Sequence, residues 1–262
     1  MPRKSYVWSA ENCGQITAGI LKTGVIHIRD VDAGESPFLY TSRYVGPVYG
    51  DIKELVSLPI FADLVAFLAN KVKKELSCPI QFVMGTETGG IVPARKVAEK
   101  LLPFTSKNGV LAGYVRKKAK DNEWLVGITG NPRIQKGDWC VLVDESVNFG
   151  TTSVQSVRVL REAGYRITHV ACFLWYENPR GIEALKREGI EVIYLFTMAQ
   201  LLDKAQEQGL YPVKVIDQCR KFLRDPVGWS EKHQTLQRSR LIVLGEEDGP
   251  ALFQKVFLHT AM

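Results

Sequence analysis

The 262-residue sequence predicts an α/β fold, a mostly parallel sheet wound on both faces by helices. Two observations predict it. Short apolar runs alternate with helix-length segments between about residues 58 and 208, which is the pattern of strand–helix–strand units. One of those runs, ITHVACFLWY (167–176), is continuously apolar, as expected of a strand buried on both faces.

Each element has its own signal. Phe61, Leu64, Val65, Leu68, Val72 and Leu76 recur at three and four, the stripe of a core-facing helix over 58–76, and Pro79 prevents its continuation. PIQFVM (79–84) reads as a buried strand, GTETGG (85–90) as a turn, and 92–102 has the helical period. VLAGYVRK (110–117) and WLVGIT (124–129) read as strands flanking a charged loop, WCVLV (139–143) as a third, and 151–163 as a helix closed by Gly164. After the 167–176 strand come a helix over 180–188, the strand IEVIYLF (190–196) and a helix over 198–208. Beyond Gly209 the pattern loosens: 213–223 reads as one more helix, Pro226-Val227-Gly228 as a break, and LIVL (241–244) and ALFQKVFL (251–258) as segments that pair or pack elsewhere. The chain therefore divides into a body over 1–208 and an extension of unassigned role over 209–262.

Composition bounds the function. The 34 basic and 28 acidic residues leave a net charge of +6, a mild lean toward anionic partners such as phosphates or nucleic acid. Five cysteines without a Cys-x-x-Cys pair argue for a reducing compartment, and no apolar run approaches bilayer length, so a cytoplasmic, soluble protein without membrane contact is expected. His27 and His169 lie in apolar runs and read as core histidines, and no pair of histidines has zinc-ligand spacing, so no protein-held metal site is predicted.

One stretch carries chemistry. CVLVDESVNFGTTS (140–153) runs from apolar strand into Asp144 and Glu145, then through Asn148, Phe149 and Gly150 to Thr151, Thr152 and Ser153. A turn into a helix N-terminus, with glycine and hydroxyls around it, can cradle a phosphate. The acids before it would repel phosphate but suit hydroxyls or developing positive charge. A ligand with a phosphate at one end and a sugar diol at the other fits both halves.

The stretch VLVDESVNFGTTS resembles the phosphoribosyl-pyrophosphate motif of type I phosphoribosyltransferases, and the flanking segments narrow the resemblance to orotate phosphoribosyltransferases. YVRKKAKDNEW (114–124) is similar to that family's basic loop, SPFLYTSRY (36–44) to its Ser-Pro-aromatic segment, and GIEVIYLFTMAQLL (189–202) to its closing strand and helix. The resemblance implies a small N-terminal hood over roughly 1–50 and transfer of ribose 5-phosphate from phosphoribosyl pyrophosphate to a ring nitrogen of a base, through an oxocarbenium-like transition state. It implies Asp144 and Glu145 on the ribose hydroxyls, and Asn148, Phe149, Gly150, Thr151 and Thr152 around the 5-phosphate. Thr88 and Gly89 would lie at the pyrophosphate turn, with Arg116 and Lys117 on the pyrophosphate and Phe38, of the Ser-Pro-aromatic segment, among the substrate-binding residues. It further implies Mg²⁺ carried by the donor, Lys120 on a loop that closes over a partner's site, and hence a homodimer.

Departures gather where the base and the leaving group would sit. Asn122 and Glu123 replace the family's loop His-Gly, Asp32 aligns with a lysine that meets the orotate carboxylate, and YENPRG (176–181) offers Tyr176 and Glu177 where the family has an Asp-Arg pair. An anionic base facing Asp32 and Glu177 would be repelled, so the expectation is a phosphoribosyltransferase whose base differs from orotate. Two alternatives stay open. One is true orotate conversion, with Lys22 and Arg180 supplying the missing cations; the other is a donor-binding regulator whose extension, with Arg220, Lys221, Arg224, Arg238 and Arg240, binds protein or nucleic acid.

Overall fold

The computed structural model describes residues 9–105, 111–116 and 134–243. The chain opens with α1 (Ala10–Lys22), capped by the Ser9 hydroxyl, which accepts from the Asn12 amide. Next come β1 (Ile26–Ile28), β2 (Phe38–Leu39), β3 (Val45–Gly46) and β4 (Val48–Gly50), paired antiparallel as β1 with β4 and β2 with β3. These short ribbons form a hood. A 3₁₀ segment (Ile52–Ser57) leads into α2 (Ile60–Glu75), β5 (Phe82–Thr86), α3 (Ile91–Thr105), β6 (Leu111–Val115) and β7 (Trp139–Val147). Alternation then continues through α4 (Thr151–Glu162), β8 (Arg166–Trp175), α5 (Pro179–Arg187), β9 (Glu191–Thr197) and α6 (Met198–Glu207), before α7 (Val213–Arg224) and α8 (Pro226–Val243).

The five strands β6-β5-β7-β8-β9 form one parallel sheet. Side chains along a strand alternate between faces, so the near-continuous apolar runs supply two cores. Val83, Val141, Val143, Ala171, Phe173, Ile193 and Leu195 join the core under α2, α3 and α6; Phe82, Met84, Cys140, Leu142, Val170 and Cys172 join the one under α4 and α5. The α/β, doubly wound expectation is met.

Differences from the sequence expectation have local causes. α1 carries Gly14 and Gly19, which weaken the helical signal, although its buried Cys13, Ile16, Thr17 and Ile20 fall on one face. β7 does not stop at Val143: it pairs on through Asp144–Cys172, Ser146–Leu174 and Val147–Trp175, because β8 is long enough to give the acids backbone partners. Pro226 both ends α7 and starts α8, a position where its missing N–H costs nothing. Residues 241–243 continue α8, whereas 251–258 and the strand proposed at 124–129 lie outside the described residues. His27 is exposed on β1, contrary to the core role expected for it.

Candidate active site

The strand order places a topological switch point at β5, since the chain passes from β5 to β6 on one side and then crosses from β6 to β7 on the other. In such sheets the ligand crevice opens beyond the carboxyl ends of the strands at that point. A cleft of about 310 Å³ lies there, between Thr86–Gly89 after β5, Asp144–Ser153 at the end of β7, and the hood residues Leu39–Ser42, Tyr49, Gly50 and Lys53, with Tyr176 at the end of β8.

The acid pair occupies the floor. Asp144 is buried and accepts from the Glu145 amide at 2.9 Å. Burial, reinforced by the neighbouring Glu145 carboxylate and only partly offset by hydrogen bonds from Thr86 and the Glu145 amide, holds the Asp144 carboxyl well above the usual carboxylate range. Glu145 reaches across to the β5 turn, where its carboxylate lies so close over Gly89 that a Cβ there would collide with it. Its buried Oε2 has no hydrogen-bond partner. Gly90 packs against the Val143 carbonyl and Thr86, so this turn has no room for a side chain at Gly90, and one at Gly89 would displace the Glu145 carboxylate. The turn is also tied to β6 by the Glu87 amide, which donates to the Val115 carbonyl at 3.1 Å.

The loop after β7 is built to present amides. Gly150 takes φ +71° immediately before α4, a left-handed conformation that favours glycine, and the first-turn N–H groups of α4 then open toward the cleft with the helix dipole behind them. Asn178 latches this loop. It is fully buried, its Oδ1 accepts from the Gly181 amide at 2.7 Å as the cap of α5, and its Nδ2 donates to Asn148 Oδ1 at 2.5 Å. Because the cap fixes the Asn178 amide, the Asn148 amide is fixed in turn, leaving its buried Nδ2 without a partner. Gly181 lies against the Asn148 carbonyl, so the latch is closely packed.

An aromatic wall closes the hood side. Tyr44 stacks on Phe149 at 4.8 Å between ring centroids, and Tyr40 meets Phe149 at 5.9 Å and Tyr176 at 6.5 Å. The Tyr176 hydroxyl accepts from the Gly50 amide, and that of Tyr40 donates to the Val48 carbonyl. Burial, with Asp51 and Glu145 nearby, pushes the Tyr49 phenol up to about 12. Lys53, 3.5 Å from Asp51, is the only cationic side chain among the described residues lining the cleft.

Thus Thr88, Gly89, Asp144, Glu145, Asn148, Phe149, Gly150, Thr151 and Thr152 come together around one cleft. Asp32 does not line it: its amide donates to Gln218 Oε1 and its carboxylate lies 3.7 Å from the His233 ring. Phe38 lies behind the wall, under the Arg29 guanidinium and beside Tyr49. Glu177 is exposed just beyond β8 at φ +51°, its carboxyl raised by partial burial, and Lys22 and Arg180 are exposed outside the cleft. Arg116 follows β6 and lies 5.3 Å from the Tyr114 ring, while Lys117, Lys120, Asn122 and Glu123 lie outside the described residues. Tyr40, Tyr49, Lys53, Thr86 and Asn178 were not singled out from sequence. Tyr40 and Thr86 sit inside segments already marked, and an Asn-Pro pair before a helix is a capping signal that could have drawn attention to Asn178.

Comparison with known proteins adds an independent finding. Residues 51–209 match the family model of the phosphoribosyl transferase domain. The chain is 30% identical over 235 residues to an orotate phosphoribosyltransferase of Ruegeria sp., covering 86% of this chain and 96% of that protein. Among solved structures, the orotate phosphoribosyltransferase of Aeropyrum pernix superposes with a TM-score of 0.57 at 25% identity, covering 74% of this chain and 99% of that one. The Leishmania donovani UMP synthase superposes with a TM-score of 0.64 at 22% identity, over 82% of this chain and 42% of that one.

Proposed function

We propose, since this chain belongs to the phosphoribosyltransferase family and is of the orotate type within it, that it transfers ribose 5-phosphate from phosphoribosyl pyrophosphate to orotate, with release of pyrophosphate. The observation that carries the donor half is the pairing, in one cleft, of the Asp144–Glu145 carboxylates with the amide-lined turn 148–153. The 5-phosphate would accept from the first-turn amides of α4 and from Asn148 Nδ2, whose lack of a protein partner leaves a buried donor to be satisfied. The ribose hydroxyls would donate to Asp144 and Glu145, and their carboxylates would face the positive charge that builds at the anomeric carbon. Fixing the sugar while the base attacks is the main contribution such a site makes.

Magnesium fits this donor set. Two adjacent carboxylates with one unpartnered buried oxygen offer hard oxygen ligands of the kind this ion takes. Asp144 and Glu145 would hold it, and when bound it supplies charge neutralisation for the departing pyrophosphate. Arg116 and Lys117 would meet the same anion, and Lys120 would act across a homodimer interface. Five free cysteines suit action in a reducing cytoplasm.

Orotate is favoured by the relatives' names and by the position of Asp32 and Glu177, neither of which faces the cleft to repel an anion. A second reading, an uncharged base, is favoured by Lys53, whose charge is already shared with Asp51. A pyrophosphate-release assay with orotate, uracil, adenine, guanine and hypoxanthine separates the two. Turnover of orotate alone supports the first, turnover of a neutral base supports the second, and turnover of none rejects both.

A further inference from the structure

Resting on the reading of the cleft as a phosphoribosyl-transfer site, we infer that the helix pair α7–α8 is a positioning device for the base-side wall, acting through Phe222, Ser230, Gln218 and Gln234. Among the described residues, none of either helix lines the cleft, so their effect on the reaction must pass through the hood.

The hood needs such support. Its β2–β3 ribbon has only two residue pairs, too few for stability alone. Yet it presents Tyr40, Thr41 and Ser42 to the cleft. Each part of it is held from α7–α8. Ser230 Oγ accepts from the buried Val45 amide at 2.9 Å. Gln234 donates to the carbonyl of Arg43, which turns the ribbon at φ +69°. Gln218 bridges the approach to the ribbon, donating to the Arg29 carbonyl and accepting from the Asp32 amide, both at 2.9 Å.

An aromatic relay runs alongside these bonds. Trp229 meets Phe222 edge-on at 5.6 Å, Phe222 stacks on Tyr40 at 5.7 Å and 24°, and Tyr40 meets Phe149 of the phosphate loop. There is little slack in it: a Cβ on Gly46 would be forced onto the Tyr40 ring and the Phe222 edge. A close-packed interior transmits a displacement instead of absorbing it. Movement at Phe222 therefore reaches the wall against which the base must stand.

The test uses the full chain and two variants, Phe222→Leu, which shortens the relay, and Ser230→Ala, which orphans the Val45 amide without altering packing. Hydrogen–deuterium exchange is followed by peptide, with calorimetry of phosphoribosyl pyrophosphate plus Mg²⁺ and steady-state kinetics with orotate or whichever base of the panel the wild type uses. Exchange should accelerate in 38–46 as well as in 213–234, and the base KM should rise about tenfold or more, since small misplacements of a reactant are costly. The donor dissociation constant should change less than that, because the Asn178 latch holds the loop independently. Acceleration confined to 213–234, or an unchanged base KM despite a lower Tm, would leave the pair a passive cap and overturn the inference. Failure of the wild type to bind the donor counts against the transfer reading instead, and the exchange pattern still decides the coupling.

Discussion

Asn178 offers the sharpest separation of stability from function, because one buried amide performs two tasks. Asn178→Ala removes the α5 cap, at about 1 kcal/mol, and leaves the buried Asn148 Oδ1 unsatisfied, at about 1–3 kcal/mol, for a total loss of about 2–4 kcal/mol. For a chain of this size each kcal/mol lowers Tm by about 2–4 °C, so the melting point should fall clearly in calorimetry. Asn178→Asp behaves differently. The introduced carboxylate still accepts from the Gly181 amide at the α5 cap, but it can no longer donate to Asn148. The Asn148 amide then flips to donate to the carboxylate, and an oxygen faces the cleft where Nδ2 stood. The expected outcome is a stability loss of about 1 kcal/mol or less, as for an exchange between good caps. The donor KM should nonetheless rise at least about tenfold, as one lost hydrogen bond to a charged group predicts. Equal destabilisation by both substitutions, with KM values at the wild-type level, would refute the latch.

Other predictions test neighbouring parts of the site. Because Asp144 titrates high in the native state, the folded protein keeps a proton that the unfolded chain releases above about pH 4, so ligand-free stability is present at low pH and falls as pH rises through the Asp144 titration. Asp144→Asn should flatten that decline and raise Tm at pH 7, measured by calorimetry across pH, while abolishing pyrophosphate release. Gly89→Ala puts a methyl group into the space of the Glu145 carboxylate, the free end of a flexible side chain, and should displace that carboxylate at little cost in stability while weakening donor binding, read by calorimetry. Lys53→Met should raise the KM for orotate and leave that for a neutral base unchanged, which also tells the two base readings apart. Mg²⁺ with donor should raise Tm more than donor with EDTA, since ligands that bind the native state stabilise it by mass action.

Most of the sheet was legible because its strands are buried on both faces and its helices are amphipathic; Ile167 to Trp175 and the stripe from Phe61 to Val72 need no distant partner to be recognised. The turn into α4 was legible for the same local reason, since Gly150 and the hydroxyls after it act within one helical turn. The hood was not. β2 and β3 are two residues each, and Tyr40, Tyr49 and Tyr176 converge from three separate segments. Asp32 misled for a related reason: alignment by sequence put it at the base, whereas the chain turns its carboxylate toward His233 of α8, a contact across some two hundred residues that no periodicity encodes. The length of β7 was set by its neighbour β8, a tertiary effect that overrides the polarity of Asp144 and Glu145.

The central claim is that a phosphorylated sugar is gripped between the carboxylate pair and the amide turn. Diffraction from crystals grown with phosphoribosyl pyrophosphate and Mg²⁺ tests it most directly. The 5-phosphate should lie within hydrogen-bonding distance of the 149–153 amides and the ribose diol against Asp144 and Glu145. Density for the donor elsewhere, such as the groove between α5 and β9 lined by Trp175 and Ile182, would contradict it.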